Sequence, residues 1–410
     1  MAEGKAARAA RLDLATLRAI PRGVWGVGLV SLFMDMSSEM IHALLPVYLV
    51  TVLGASALSV GLIEGVAEAT ASIVKVFSGA LSDWFGRRKA LAVIGYGLAA
   101  LSKPVFPLAG NVLWIFLARF ADRIGKGIRG APRDALMADI TPRYLIGAAY
   151  GLRQALDTLG AVLGPLIAMA LMWLTAANFT FVFWAAVVPA LAAVVLLVVL
   201  VREPARPGGT GPVRFPLHTA AIRRLGKSYW LICAAATLFS LARFSEAFVI
   251  LRAQQLGLSL ALVPLVLIVM NLAFSAAAYP AGVISDRLGR PGVLALGIAL
   301  LVGADLVLAF AGSLGGIAAG IVLWGLHLAF TQGLLSALVA DTAPADLRGT
   351  AFGVFNMVTG LALLAASMIA GALWDFAGAE AVFLFGAGIA ALAFIAFGAL
   401  RAHHRICRGG

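Results

Sequence analysis

The sequence predicts an all-α membrane protein of twelve transmembrane helices in two pseudo-symmetric six-helix bundles. Composition, the placement of basic residues and an internal repeat carry that expectation. Of the 410 residues, 62% are hydrophobic and 12% charged, against roughly 45–50% and 25% in soluble domains. Twelve spans of about 20 residues account for most of such a chain. A soluble enzyme, a nucleic-acid-binding domain and a secreted disulfide scaffold are excluded on these grounds. The net charge of +12 is read as the positive-inside rule rather than as affinity for nucleic acid.

Apolar stretches fall near 25–50, 57–80, 90–108, 112–137, 147–173, 179–201, 228–252, 260–283, 291–311, 315–340, 348–373 and 381–400. The first is too long for a signal-peptide core and is read as a retained span. The layout is a basic N-tail (1–24), a first bundle (25–201), a linker rich in Pro, Gly and Arg (202–227), a second bundle (228–400) and a C-tail (401–410). Of 31 Lys and Arg residues, 21 fall in the tails, the linker or the loops 81–89, 138–146, 284–290 and 341–348. All these segments belong to one face, so the expectation is a bacterial inner-membrane protein with both termini cytoplasmic. Cys233 and Cys407 match no disulfide, zinc or haem pattern.

Two segments recur in order. GALSDWFGRR (79–88) returns as GVISDRLGRP (282–291), and ADITPRYLIGAAYG (138–151) returns as ADTAPADLRGTAFG (340–353), which argues for a duplicated six-helix unit. Gly79, Asp83, Gly86, Arg87 and Arg88 match the G-x-L-x-D-x-x-G-R-R loop of the major facilitator superfamily, with Asp286, Gly289 and Arg290 as its second-half echo. The chain resembles that superfamily over essentially its whole length. The resemblance implies alternating access by a monomer, with these loops acting as conformational latches. Gly160, Gly164 and Pro165 are similar to its antiporter motif on the fifth span, which implies export.

Charges inside the spans mark pathways or buried pairs. Asp35, Glu39 and His42 stand at i, i+4 and i+7 on the first span, and Glu64 and Glu68 at i, i+4 on the second. These five are expected to converge, as proton carriers or as ligands of a divalent metal. On the fourth span Arg119, Asp122, Lys126, Arg129 and Arg133 form a stripe, with Arg123 and Asp134 beside it. An ion-pair lattice and a titrating pathway both fit that density. Arg123 with Gly127 resembles the superfamily's R-x-x-x-G pattern, which implies proton coupling; Asp35, Glu39 and Asp122 are the carboxylates assigned to it. Arg153 with Asp157 and Arg243 with Glu246 are expected to pair locally. His327 is read as a core histidine that stays among the substrate-site candidates, because the tenth span lines the superfamily's cavity.

Glu39-Met-Ile-His42 is a lone Glu-x-x-His pair, so no di-metal bundle follows. There is no HExxH and no Walker loop, and the proton gradient is the expected energy source, with no resident cofactor. Segments 31–56, 61–79 and 122–136 resemble the bacterial branch that includes nickel-resistance permeases. That resemblance implies a proton-coupled exporter of a divalent transition metal, with metal capture by His403, His404 and Cys407 in the tail as a weaker hint. The alternatives are efflux of an organic molecule, such as a drug, siderophore or anionic metabolite, and a non-transporting membrane receptor.

Overall fold

A computed structural model describes residues 19–85, 87–203, 222–332, 334–344 and 347–406. The helices are α1 (Arg22–Thr51), α2 (Ala57–Phe85), α3 (Arg88–Leu108), α4 (Val112–Ile140), α5 (Arg143–Leu174) and α6 (Phe179–Leu200) in the first half. The second half holds α7 (Lys227–Gln255), α8 (Leu265–Leu288), α9 (Arg290–Phe310), α10 (Leu314–Thr331, continued by Leu334–Thr342), α11 (Arg348–Ala377) and α12 (Ala379–Ile406). Eleven of these are long and apolar enough to cross a membrane. The exception is α4, a 29-residue helix whose charged stripe puts it below that standard although it sits among the others.

Boundaries differ from the sequence reading where polar backbone or proline intervenes. Pro46 has no N–H to continue the ladder, and α1 breaks between His42 and Leu45. The eighth helix starts at Leu265, after a 3-10 turn over Leu260–Leu262. The last helix runs to Ile406, into residues assigned to the tail. Gly289 makes the corner between α8 and α9 at φ 74°, a conformation that favours glycine.

Each half repeats one set of pairings: α1 packs on α5 and α6, and α4 on α2 and α3, as α7 packs on α11 and α12, and α10 on α8 and α9. The halves meet chiefly through α2 against α11 and α5 against α8. Gly61 and Gly371 allow that approach, since a side-chain carbon at either would strike backbone of the other helix. One hydrophobic core joins both halves at the end away from the basic loops; it includes Leu45, Val60, Phe183, Phe248, Leu308 and Ala370. Toward the basic loops the cores are separate, with Val24, Tyr96 and Leu136 in the first half and Tyr229, Val339 and Ala351 in the second. Among the described residues the halves are therefore joined at the far end and divided at the basic end.

Candidate functional site

A cavity of about 310 Å³ lies between the halves, lined by Glu39 and His42 of α1, Glu64 and Glu68 of α2, Arg123 and Lys126 of α4, and Arg243 to Glu246 of α7. Asn271, Gln332 and Ser367 add polar groups from the second half. A second cavity of about 290 Å³ shares Glu68 and Lys126 and continues past Asp35, Lys75, Arg129, Arg133, Asp134 and Asp157. Four of the five residues expected to converge thus line one cavity, and Asp35 lines its neighbour.

The site depends on close packing of α5 against α1. A side-chain carbon at Gly164 would stand 2.5 Å from the Met36 carbonyl and 3.0 Å from Glu39 Cβ; Gly160 meets Leu32 in the same way. The small residues of the export-motif resemblance therefore set where the charged face of α1 sits. Pro165 is buried inside α5.

Most of the charges are paired between helices. Arg119 donates to Glu64 at 2.7 Å, and Lys103 lies 3.0 Å from Asp122 and from Ser38 Oγ, all deeply buried. Arg123 bridges Glu68 at 3.3 Å and Asp122 at 3.4 Å. His42 stands 3.4 Å from Glu39 through Nδ1 and 3.7 Å from Glu64 through Nε2. Arg129 reaches Asp35 at 3.9 Å and covers the Tyr96 ring at 4.7 Å. Arg153 and Asp157 make the local pair the sequence suggested, at 3.5 Å.

Arg243 and Glu246 do not pair with each other. They bound a break in α7, where Ser245 N–H donates to Ser367 Oγ of α11 at 3.2 Å and Ala247 N–H to Ser245 Oγ at 3.2 Å. Irregular backbone is tolerated inside a membrane protein where it faces a cavity and finds such partners. Neither a proline nor a glycine announces this break in the sequence. Among the described residues, Lys126, Arg243 and Glu246 line the cavity with no ion pair.

His327 does not line the cavity. It is fully buried in α10, with Nδ1 2.5 Å from the Trp324 carbonyl and its ring against Trp324. Arg88 ties α3 to the end of α4 through Asp139 at 2.7 Å and the Ala135 carbonyl at 3.0 Å, while Glu203 accepts its backbone N–H. Arg87 is exposed, and Gly79 packs near Ala131 of α4. Gly86, Cys407 and the side chains of Asp83, Asp286, Arg290, His403 and His404 lie outside the described residues. Among the described residues, no three His, Cys, Asp or Glu side chains are grouped as a metal ion would need.

A family model described as Major Facilitator Superfamily matches residues 27–362 and 230–405. The chain belongs to the Major Facilitator Superfamily. It is 32% identical over 379 residues to an uncharacterised MFS-type transporter of Methanocaldococcus jannaschii, covering 91% of this chain and 93% of that protein. A shorter match of 144 residues, also 32% identical, is to the multidrug resistance protein MdtH of Photorhabdus laumondii and covers 35% of each. Among solved structures, a point mutant of the nucleoside transporter NupG superposes with TM-score 0.78 at 14% identity, over 92% of this chain and 99% of that one. A bacterial homologue of the human lysosomal transporter Spinster, inward-facing and unoccupied, gives TM-score 0.70 at 16% identity, over 91% and 96%. This superfamily member is accordingly a multi-pass membrane transporter, not a catalytic enzyme.

Proposed function

We propose that the protein is a proton-coupled exporter of a small organic molecule bearing an anionic group, working by alternating access in the bacterial inner membrane with both termini cytoplasmic. One observation carries the substrate class: Lys126 and Arg243, cations from opposite halves, face the same cavity without ion pairs among the described residues. A carboxylate or phosphate held by both would draw the halves together at the basic end. Glu246, also unpaired, suits a cationic or hydroxyl group on the same molecule. Export is supported by the small-residue motif on α5 and by the multidrug resistance relative. The divalent-metal reading has weaker support, because Glu64 and Glu68 already face Arg119 and Arg123 and a metal would have to displace them. Asp35 and Glu39, which face the cavities and have the longer or histidine-mediated contacts, are the coupling carboxyls of the first half.

Purified protein in liposomes containing a pH-sensitive dye tests this reading against a panel of organic acids, phosphate esters and nickel. An organic anion should exchange for protons saturably, Asp35→Asn and Glu39→Gln should abolish the gradient-driven flux, and Arg243→Gln should raise the half-saturating concentration. Nickel flux with no response to any organic anion would overturn the substrate class, and full gradient-driven exchange by both carboxyl variants would overturn their coupling role.

A further inference from the structure

The second half contains an ionisable group outside the cavity. Asp305 lies on α9, fully buried, and neither carboxyl oxygen has a hydrogen-bond partner. Its Oδ2 fills space beside Gly386 of α12, 2.6 Å from where a side-chain carbon would stand, and the Phe244 ring from the α7 break abuts the same point at 2.9 Å. Phe244 packs on Trp324 and Phe383 with ring centroids 5.4 and 5.5 Å away, and Trp324 on His327 at 5.4 Å. Trp324 Nε1 and His327 Nε2 are also without partners, so the buried orphan side-chain atoms of the second half, among the described residues, all belong to this aromatic cluster.

Charged neighbours leave the acid alone. From α10 come His327, with Nδ1 on a backbone carbonyl, and, in its continuation toward the basic end, Asp341. From α7 come Arg243 and Glu246, which line the cavity, and Arg252, whose guanidinium is spent on the carbonyls of Leu308, Ala309 and Ala311. Glu380 begins α12 at the far end, whereas Asp286 and Arg287 sit in the last turn of α8 at the other. Among the described side chains none bonds to Asp305. A bare carboxylate here would surrender its hydration with no donor in return, whereas a neutral carboxylic acid surrenders little.

A pH-dependent conformational equilibrium, separate from the coupling carboxyls proposed above and resting on the alternating access proposed there, needs a carboxyl whose protonation differs between conformations. Glu64, Glu68 and Asp122 each face a cation in this one; Asp305 faces none. We propose that Asp305 is a proton site of the second half: it holds a proton while the far end is closed and loses it to water when the far end opens. On opening, the carboxyl O–H bond breaks, the proton passes to water and the carboxylate keeps the electron pair. Phe244 belongs to the α7 break, so rearrangement of that break uncovers the acid. Proton binding and far-end closure are then linked, acid favouring the closed state and alkali the open one.

Infrared difference spectroscopy on the full-length protein in nanodiscs, without substrate, reads the site directly. Wild type should show the carbonyl stretch of a protonated acid lacking hydrogen bonds at neutral pH. Asp305→Asn should remove it, and Gly386→Ala, which presses a methyl group on Oδ2, should shift it. Absence of the band in wild type, or an unchanged band in Asp305→Asn, overturns the proposal. Spin labels replacing the exposed Val52 and Phe376 at the far end, in a Cys407→Ser background, give a second readout. The open-to-closed ratio should rise about tenfold from mildly acidic to mildly alkaline pH in wild type and stay closed in Asp305→Asn, which resembles the neutral acid. The same pH response in that variant also overturns the proposal. Loss of proton exchange in liposomes with both readouts intact would instead sink the transport reading.

Discussion

Helices α4 and α10 occupy equivalent places in the two halves, yet their interiors are opposites. The first carries Arg119, Asp122, Arg123, Lys126, Arg129, Arg133 and Asp134, tied to α1, α2 and α3 by buried ion pairs. Over Leu314–Thr331 the second carries one ionisable residue, His327, packed against Trp324, which in turn meets Phe244 and, through it, Phe383. One duplicated scaffold therefore holds an electrostatic half and an apolar half. The electrostatic half is costly to alter because each charge is the solvation of another. The apolar half can slide or rebreak at α7 without separating ions, which suits it to carrying the conformational change.

If that contrast is sound, the largest effect comes from stranding a charge in α4. Asp122→Ala strands Lys103 and leaves Arg123 with Glu68 alone, and should cost about 3–5 kcal/mol, read as a lower unfolding temperature in detergent. The double variant Lys103→Met with Asp122→Leu should recover most of that loss; equal destabilisation would show that the pair's geometry is not the cause.

A smaller effect is expected where the halves face one substrate. Replacing Lys126 by Gln removes a cavity charge with no ion pair among the described residues, so stability should change by less than about 0.5 kcal/mol. Binding of a transported organic anion, measured by calorimetry, should weaken by about 1.5–3 kcal/mol, the worth of a hydrogen bond to a charged group. Unchanged affinity would remove Lys126 from the site.

At the seam between the halves the Asp375 carboxylate accepts the Ala57 and Leu58 N–H groups at 3.0 and 2.9 Å, so α11 caps the start of α2. Asp375→Ala should cost about 1 kcal/mol of far-end closure, visible as several-fold faster thiol labelling of a cysteine at Ala370. The smallest effect belongs to α10. His327→Leu removes a buried Nε2 that has no partner, and stability should stay within about 1 kcal/mol of wild type or rise. A loss as large as that of Asp122→Ala would erase the distinction between the halves.

Much of this architecture is legible in the amino-acid sequence. Hydropathy fixes the spans because lipid leaves the backbone no partner outside a helix, and the repeat of GALSDWFGRR as GVISDRLGRP exposes the two halves. The charges of α1, α2 and α4 stand out by their cost in a membrane. Which charge meets which is not legible: Lys103 with Asp122 and Arg119 with Glu64 join residues on different helices, and only packing chooses among several cations and carboxylates of equal chemistry.

Sequence spacing likewise suggests that Arg243 and Glu246 pair, because it assumes an unbroken helix. The break forms because Ser245 and Ser367 supply the partners the backbone loses, a condition set by α11 more than a hundred residues away. His327 invites a role in the cavity by its place on the tenth span, and the tertiary structure turns it to the Trp324 carbonyl instead. Asp305 gives no signal beyond being an acid in an apolar run; its isolation depends on Gly386 and Phe244 closing around it. Hydropathy and the internal repeat determined that this chain is a twelve-span membrane protein of two related halves with a charged first half, and its loop motifs marked the resemblance to a transporter superfamily. The contacts between helices decided which charges are spent on the fold and which remain free for a substrate or a proton, because the free energy of a buried charge depends on the few ångströms around it.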